Sequence, residues 1–301
     1  MEPQPNVPFH SVRKPDIPLD IVHGIVHEMC NDPSTLKQWS TISHSFLTPC
    51  RKHLFSTIHL NSRRANPSPC ARLYEILHHN PQLLHNIRTP HVTNDQDWTL
   101  KETSFPKLLE IIADQGTLSE FSFNMMSWCG STHWPTSFPG TCRSAVYKLL
   151  RTPNLETVRL YNFCLLFPME AIGACSSLRH LEYFGDKACY QSVSAASPED
   201  RSYALPSYTP DPRRPAIESL TFNNDASERL GKYLCSEACP LDITQLRSLL
   251  VDGSLEASLL AVQSLTTASS DTLTAVSWRF WWNPYFPGQS KLYSHLTFIT
   301  S

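Results

Sequence analysis

The feature that most constrains this chain is a short frame that keeps returning: an apolar residue, two others, an apolar residue, one other, and a third apolar residue. It is read at Phe55-Ile58-Leu60, Leu118-Phe121-Phe123, Leu155-Val158-Leu160 and Leu178-Leu181-Tyr183. It returns at Ile217-Leu220-Phe222, Leu246-Leu249-Val251, Leu273-Val276-Trp278 and Tyr293-Leu296-Phe298, with a weaker copy at Leu84-Ile87. The closing alternation in each copy is the signature of a short strand with one buried face. Between copies lie "CARLYEILHH", "FPKLLEIIADQ", "RSAVYKLLRT", "MEAIGAC", "ASERLGKYLCSEA" and "EASLLAVQSL", whose apolar residues stand three and four apart, as on a helix. Several of these segments end at a proline or small-residue stop just before the next strand, as at Asn80-Pro81-Gln82-Leu83 and Thr152-Pro153-Asn154-Leu155.

A unit of helix, stop and strand has one apolar side and cannot bury it alone; its neighbours must cover it. Units at roughly 20–40 residue spacing predict an α/β fold, an irregular leucine-rich-repeat-like solenoid with short parallel strands over residues 55–301. The spacing is uneven and no regular run of asparagines follows the strands. A doubly wound α/β sheet is the alternative, but the glycine-rich first turn that such a sheet uses is missing.

Composition removes several functions. The 27 acids nearly balance the 25 bases, which gives no electrostatic footprint for nucleic acid or a membrane surface. With 9 glycines against 24 prolines, the chain is poor in phosphate-cradling loops and rich in stops. Its 10 cysteines follow neither a disulfide framework nor a CxxC metal pattern. There is no secretory leader, no Asn-x-Ser/Thr acceptor and no apolar run approaching the ~18 residues of a membrane span. The reading is a cytoplasmic or nuclear chain with reduced cysteines. No metal and no cofactor is expected.

The first sixty residues differ from the rest. Residues 1–15 read as a disordered tail. Pro18 can start a helix on which Leu19, Ile21, Val22, Ile25, Val26 and Met29 share one broad side. Asp32 then stands as an N-capping acid ahead of Pro33. At ~100° per residue, Leu36, Trp39, Ile42, Ser43, Phe46 and Leu47 fall within an arc of roughly 140° on one continuous helix. Thr48-Pro49 would begin a third, short helix carrying Arg51, Lys52, Leu54 and Phe55. Apolar arcs this broad on three short helices exceed what a small mutual core can cover.

The stretch "DIPLDIVHGIVHEMCNDPSTLKQWSTISHSFLTPCRKHLFSTIHL" resembles the F-box found in many fungal proteins. Ile17-Pro18-Leu19-Asp20 is similar to the family's Leu-Pro-x-Glu opening, and Asn31 to Lys37 to its Asp-Asp-Pro-x-Thr-Leu-Lys turn. Ser40, Ile42 and Phe46 match its second helix pattern, and Arg51, His53, Leu54 and Phe55 its Arg-x-His-Leu-Phe ending. Ile17 stands for the usual leucine and Phe46 for the usual tryptophan; both keep apolar bulk. The resemblance implies a three-helix F-box over residues 16–54 that docks on Skp1, the adaptor of a cullin-RING ubiquitin ligase. It places Ile17, Pro18, Leu19, Ile21, Leu36, Trp39, Ile42 and Phe46 at positions shared between the F-box core and the adaptor face. Fungal F-box proteins commonly carry degenerate leucine-rich repeats, so the implied function is a substrate receptor that holds an unidentified target protein. The rival is a leucine-rich-repeat interaction scaffold uncoupled from ubiquitination.

Three stretches interrupt the repeat. Residues 124–141 hold Trp128 and Trp134 in a loop context, and residues 185–215, rich in Ser, Pro and Tyr, read as a long insertion. Residues 278–286, "WRFWWNPYF", place six aromatics in nine positions. Trp128, Trp134, Trp281, Trp282 and Tyr285 are candidate target-contacting residues, because Trp and Tyr dominate interface hot spots; the other reading is that the C-terminal aromatics seal the last repeats. No G-x-S-x-G or phosphate-loop motif is present. His27-Glu28 lacks the second histidine of a zinc-protease helix, and His78-His79 suits a helix C-terminus. The chain reads as a non-enzyme.

Overall fold

A computed structural model describes residues 17–61, 68–94, 98–125, 139–163, 169–185, 214–223, 230–231, 233–237, 239–252, 255–280 and 294–299. The chain forms two compact units, Met1–Phe55 and Ser56–Ser301.

The first unit consists of α1 (Leu19–Glu28), α2 (Pro33–Ile42) and α3 (His44–Leu54). The start of α2 follows from local chemistry. Asp32 accepts hydrogen bonds from the backbone N–H groups of Ser34 and Thr35 at 3.0 and 3.2 Å, with Pro33 in the first turn. The Ser34 hydroxyl, then that of Thr35, hold the Asp32 carboxyl down at about 2. The expected continuous helix through Leu47 does not form. Ser43 is extended, with φ −154° and ψ 161°, and α3 begins at His44 and runs through Pro49. The break returns Phe46 to Trp39, edge to face with centroids 5.8 Å apart, and puts Pro49 and Cys50 inside. Burial there outweighs the backbone bond that proline gives up.

The second unit is built on one nine-stranded sheet in sequential order: β1 (Thr57–Leu60), β2 (Thr89–Thr93), β3 (Glu120–Asn124), β4 (Thr157–Phe163), β5 (His180–Gly185), β6 (Ser219–Asn223), β7 (Ser248–Asp252), β8 (Ala275–Phe280) and β9 (Ser294–Ile299). Strands β1 to β8 are parallel. The register stacks the recurring frame: Phe121 on Val158 on Leu181 on Leu220 on Leu249 on Val276, and Phe123 on Leu160 on Tyr183 on Phe222 on Val251 on Trp278. All twelve of these side chains are buried.

Two copies of the frame behave differently from expectation. The weak copy at Leu84-Ile87 is displaced: Leu84 lies in a 3-10 turn (Pro81–Asn86), and the frame runs from Ile87, just after that turn, to Pro90 and Val92 on β2, with Pro90 paired to Ile58 and Val92 to Leu60. Pro90 hid the strand, since proline gives no N–H to a sheet; accordingly the β2–β3 ladder starts only at His91. The copy at Tyr293-Leu296-Phe298 is no further parallel repeat, because β9 runs antiparallel to β8.

Between strands lie α4 (Pro69–His79), α5 (Trp98–Lys101), α6 (Ser104–Asp114), α7 (Gly140–Leu150), α8 (Met169–Gly173) and α9 (Leu255–Ala268). Of the segment at 226–238, residues 230–231 and 233–237 are described. Crossovers of one hand between strands in sequential order place their helices on one side of the sheet. Helix layers there approach closely: a Cβ on Gly231 would stand 2.6 Å from the Ala261 Cβ and 3.0 Å from its Cα.

Strands β2 to β8 also open in the same way. Two successive N–H groups converge on one carbonyl of the preceding repeat: Arg88 and Thr89 on Ser56, Glu156 and Thr157 on Ser119, and Arg179 and His180 on Glu156. Glu218 and Ser219 meet Arg179, Arg247 and Ser248 meet Glu218, and Thr274 and Ala275 meet Arg247, all between 2.8 and 3.0 Å. Units of unequal length thus share one backbone joint. Asparagines close two strand ends: Asn162 donates to the Asn124 side chain, and Asn223 bonds both the N–H and the C=O of Gly185 at 2.8 Å. The sequence pattern did not reveal these two contacts.

Candidate functional site

Two surfaces carry unspent chemistry, one in each unit. In the first unit, Val22, Val26, Leu36 and Cys50 form the core, with Met29, Trp39, Phe46 and Leu54 packed partly against it. Outside this core stand Ile17, Leu19, Ile21, Ile25 and Ile42, exposed by 52, 58, 50, 39 and 68%. The arrangement follows from helix geometry. Each step of three residues turns the side chain by about 60°. Leu36 therefore points inward and is 1% exposed, Trp39 lies at the margin, and Ile42 points away. On α1, Ile21 and Ile25 sit one turn apart, beside the buried pair Val22 and Val26.

The eight positions singled out by the F-box resemblance thus divide into classes. Ile17, Pro18, Leu19, Ile21 and Ile42 are exposed, Trp39 and Phe46 are half-buried, and Leu36 is a core residue closed to any partner. Ile25 was outside that set; its place on the apolar side of α1 was the available signal. Trp128, Trp134, Trp281, Trp282 and Tyr285 lie outside the described residues, as do most of the insertion and most of both aromatic loops. Trp278, the first residue of "WRFWWNPYF", is a core residue of β8.

In the second unit, the sheet face opposite the stacked frame is polar. Arg159 on β4 reaches sideways to two carboxylates: it pairs with Glu120 on β3 and donates through Nε to Glu182 on β5 at 2.9 Å. The Tyr161 hydroxyl donates to the other Glu182 oxygen at 2.7 Å, and the Tyr161 ring stacks on Phe184 with centroids 5.1 Å apart. Burial pushes the Glu120 carboxyl up despite Arg159, and burial together with Glu182 pushes the Tyr161 phenol up. Further along this face, His59 and His91 stack at 4.9 Å; burial holds His91 below the usual imidazole range, with His59 adding to it. At the end of β7, Asp252 is 3% exposed, and burial lifts its carboxyl to about 6. Its Oδ1 has no hydrogen-bond partner, and Arg279 stands 3.9 Å from Oδ2.

None of these outward residues was singled out from sequence. The signal was available once the copies are aligned on their apolar frame, because Arg159 and Glu182 then face each other on adjacent strands, with Glu120 two residues away on the same side of β3. Among the described residues there is no group of three or more His, Cys, Asp or Glu placed to hold a metal ion. Among them, too, no helix is long and apolar enough to cross a membrane. His78 and His79 end α4, where the His79 imidazole bonds the Glu75 carbonyl at 2.8 Å. Compared with protein-family models, the chain matches none, and no curated protein matches it.

Proposed function

We propose that the chain is the substrate-recognition subunit of a Skp1–cullin–F-box ubiquitin ligase, acting in the cytoplasm or nucleus. In this reading residues 16–54 are an F-box that docks on a Skp1-like adaptor, and residues 55–301 are an irregular leucine-rich-repeat solenoid that holds a target protein. The chain contributes proximity: tethering raises the effective concentration of target lysines beside a ligase carried by other subunits.

The observation that carries the reading is the exposed set Ile17, Leu19, Ile21, Ile25 and Ile42 beside a small core that, among the described residues, buries Val22, Val26, Leu36, Pro49 and Cys50. Five large apolar side chains left outside so small a core supply apolar surface that a partner can cover. The solenoid part is supported by the sequential parallel sheet and by the backbone joint repeated between successive strands.

Co-purification with Skp1 tests it. The full chain should hold Skp1 under conditions in which a known F-box protein does, and a Leu19→Ser/Ile42→Ser double variant should release it. Both sites are exposed, so the loss reports binding; Trp39 is a poorer probe because it also packs on the core. A wild-type chain that fails to hold Skp1 leaves the scaffold reading in place of the receptor.

A further inference from the structure

β1 is held more lightly than the strands that follow it. It has four residues and, among the described residues, pairs with β2 alone, whereas β2 to β8 each have a strand on both sides. Ile58 and Leu60 point into the core, while Thr57 and His59 point outward and are exposed. His59 faces His91 across the ladder, ring on ring, with centroids 4.9 Å apart and planes 15° from parallel. This stack suits two neutral imidazoles, or one neutral and one charged. With both rings protonated it sets like charges directly opposite each other, which destabilises a strand pair. The neighbouring groups do not offset that. Apart from the two histidines, β1 and β2 carry no titratable side chain. Arg88, just ahead of β2, gives its guanidinium to the Thr117 carbonyl at 2.7 Å. On β3 the one acid is Glu120, two residues before Ser122, the register partner of His91, and it is engaged by Arg159. Arg159 adds a further positive charge to the surroundings of His91.

We propose that the His59–His91 stack makes β1 acid-labile: protonation of both rings loosens the first strand of the sheet from the second. The sign follows from the surroundings. Burial, then His59 and Arg159, hold His91 below the ordinary 6.5, so the folded chain binds this proton less tightly than the unfolded one. The stack therefore contributes in full above about pH 6.5 and is lost as pH falls through the lower folded value. A strand paired on one side opens locally before the unit unfolds, so a modest repulsion is enough to register. Because β1 follows directly on the first unit, which ends at Phe55, its release adds four residues to the chain that joins the two units. The device is independent of what either unit binds.

Hydrogen–deuterium exchange of the full chain tests this, read by mass spectrometry on peptides from β1 and from β6 at about pH 7.5 and about pH 5, each corrected for the intrinsic exchange rate. Protection of β1 relative to β6 should fall roughly 2- to 5-fold at the lower pH, the range expected of a like-charged pair facing across two strands. His59 is exposed, so its substitution leaves the core untouched. His59→Gln should abolish the difference between the two pH values. His59→Asp should reverse it, because a carboxylate facing His91 gains from protonation of that ring, a sign that loss of folding cannot produce. A wild-type β1 whose relative protection is the same at both pH values overturns the proposal. So does a difference that persists in His59→Gln, or a His59→Asp chain that responds as the wild type does.

Discussion

The two units dispose of apolar side chains in opposite ways. In the second unit the frame residues stack from strand to strand, and Phe121, Phe123, Val158, Leu160, Leu249 and Val251 are completely buried. Among the described residues of the first unit the buried set is small, Val22, Val26, Leu36, Pro49 and Cys50, while five large aliphatic side chains remain outside. The cause is geometric. A sheet that adds strands in order covers each new apolar row with the next, whereas three helices of ten or eleven residues enclose only one small centre. A sheet that grows strand by strand therefore finishes its own core, and a minimal helical unit leaves large apolar side chains in solvent.

The contrast can be broken by substitution. The largest loss is expected at Phe121→Ala or Phe222→Ala, about 3–5 kcal/mol in chemical denaturation, since a gap in the stacked row has no solvent-facing side on which to relax. Gly231→Ala should cost about 1–3 kcal/mol, because the added Cβ meets the Ala261 Cβ and Cα, neither of which is a flexible side-chain end.

Asp252→Asn should act in the opposite direction. The folded carboxyl titrates at about 6 against an ordinary 3.8, so the folded chain holds the proton more tightly than the unfolded one. Ionisation consequently opposes folding: the penalty is full above about pH 7 and disappears as pH falls towards 4. Melting curves should show Asp252→Asn more stable by on the order of 1–3 kcal/mol at pH 8, with no advantage near pH 4. The smallest change in stability, within about 0.5 kcal/mol, is expected for Leu19→Ser and Ile42→Ser in the first unit. If those two destabilise the chain as a core substitution does, the contrast between the units is lost.

Much of this was legible in the sequence, for identifiable reasons. Seven of the parallel strands follow from a frame in which burial depends on alternation alone, and α2 begins where Asp32 and Pro33 require. The strand at Thr89–Thr93 was hidden because Pro90 occupies a core position that proline seldom takes. The break at Ser43 was hidden because helical periodicity continues through it; the reason to turn lies in the Trp39–Phe46 contact and in burial of Pro49 and Cys50, which no local pattern encodes. The Glu120–Arg159–Glu182 bridge needs three strands brought into register before its charges face one another. Asp252 is an ordinary strand-end acid in sequence, and its missing partner exists only in three dimensions.

The account turns on the exposed apolar face of the first unit, and calorimetric titration of the full chain with purified Skp1 tests it most directly. The expected result is one-to-one binding with a negative heat-capacity change, the mark of apolar burial, abolished by Ile42→Glu while the melting temperature holds. Absence of binding by the wild-type chain, or binding indifferent to Ile42→Glu and to Leu19→Ser, contradicts it.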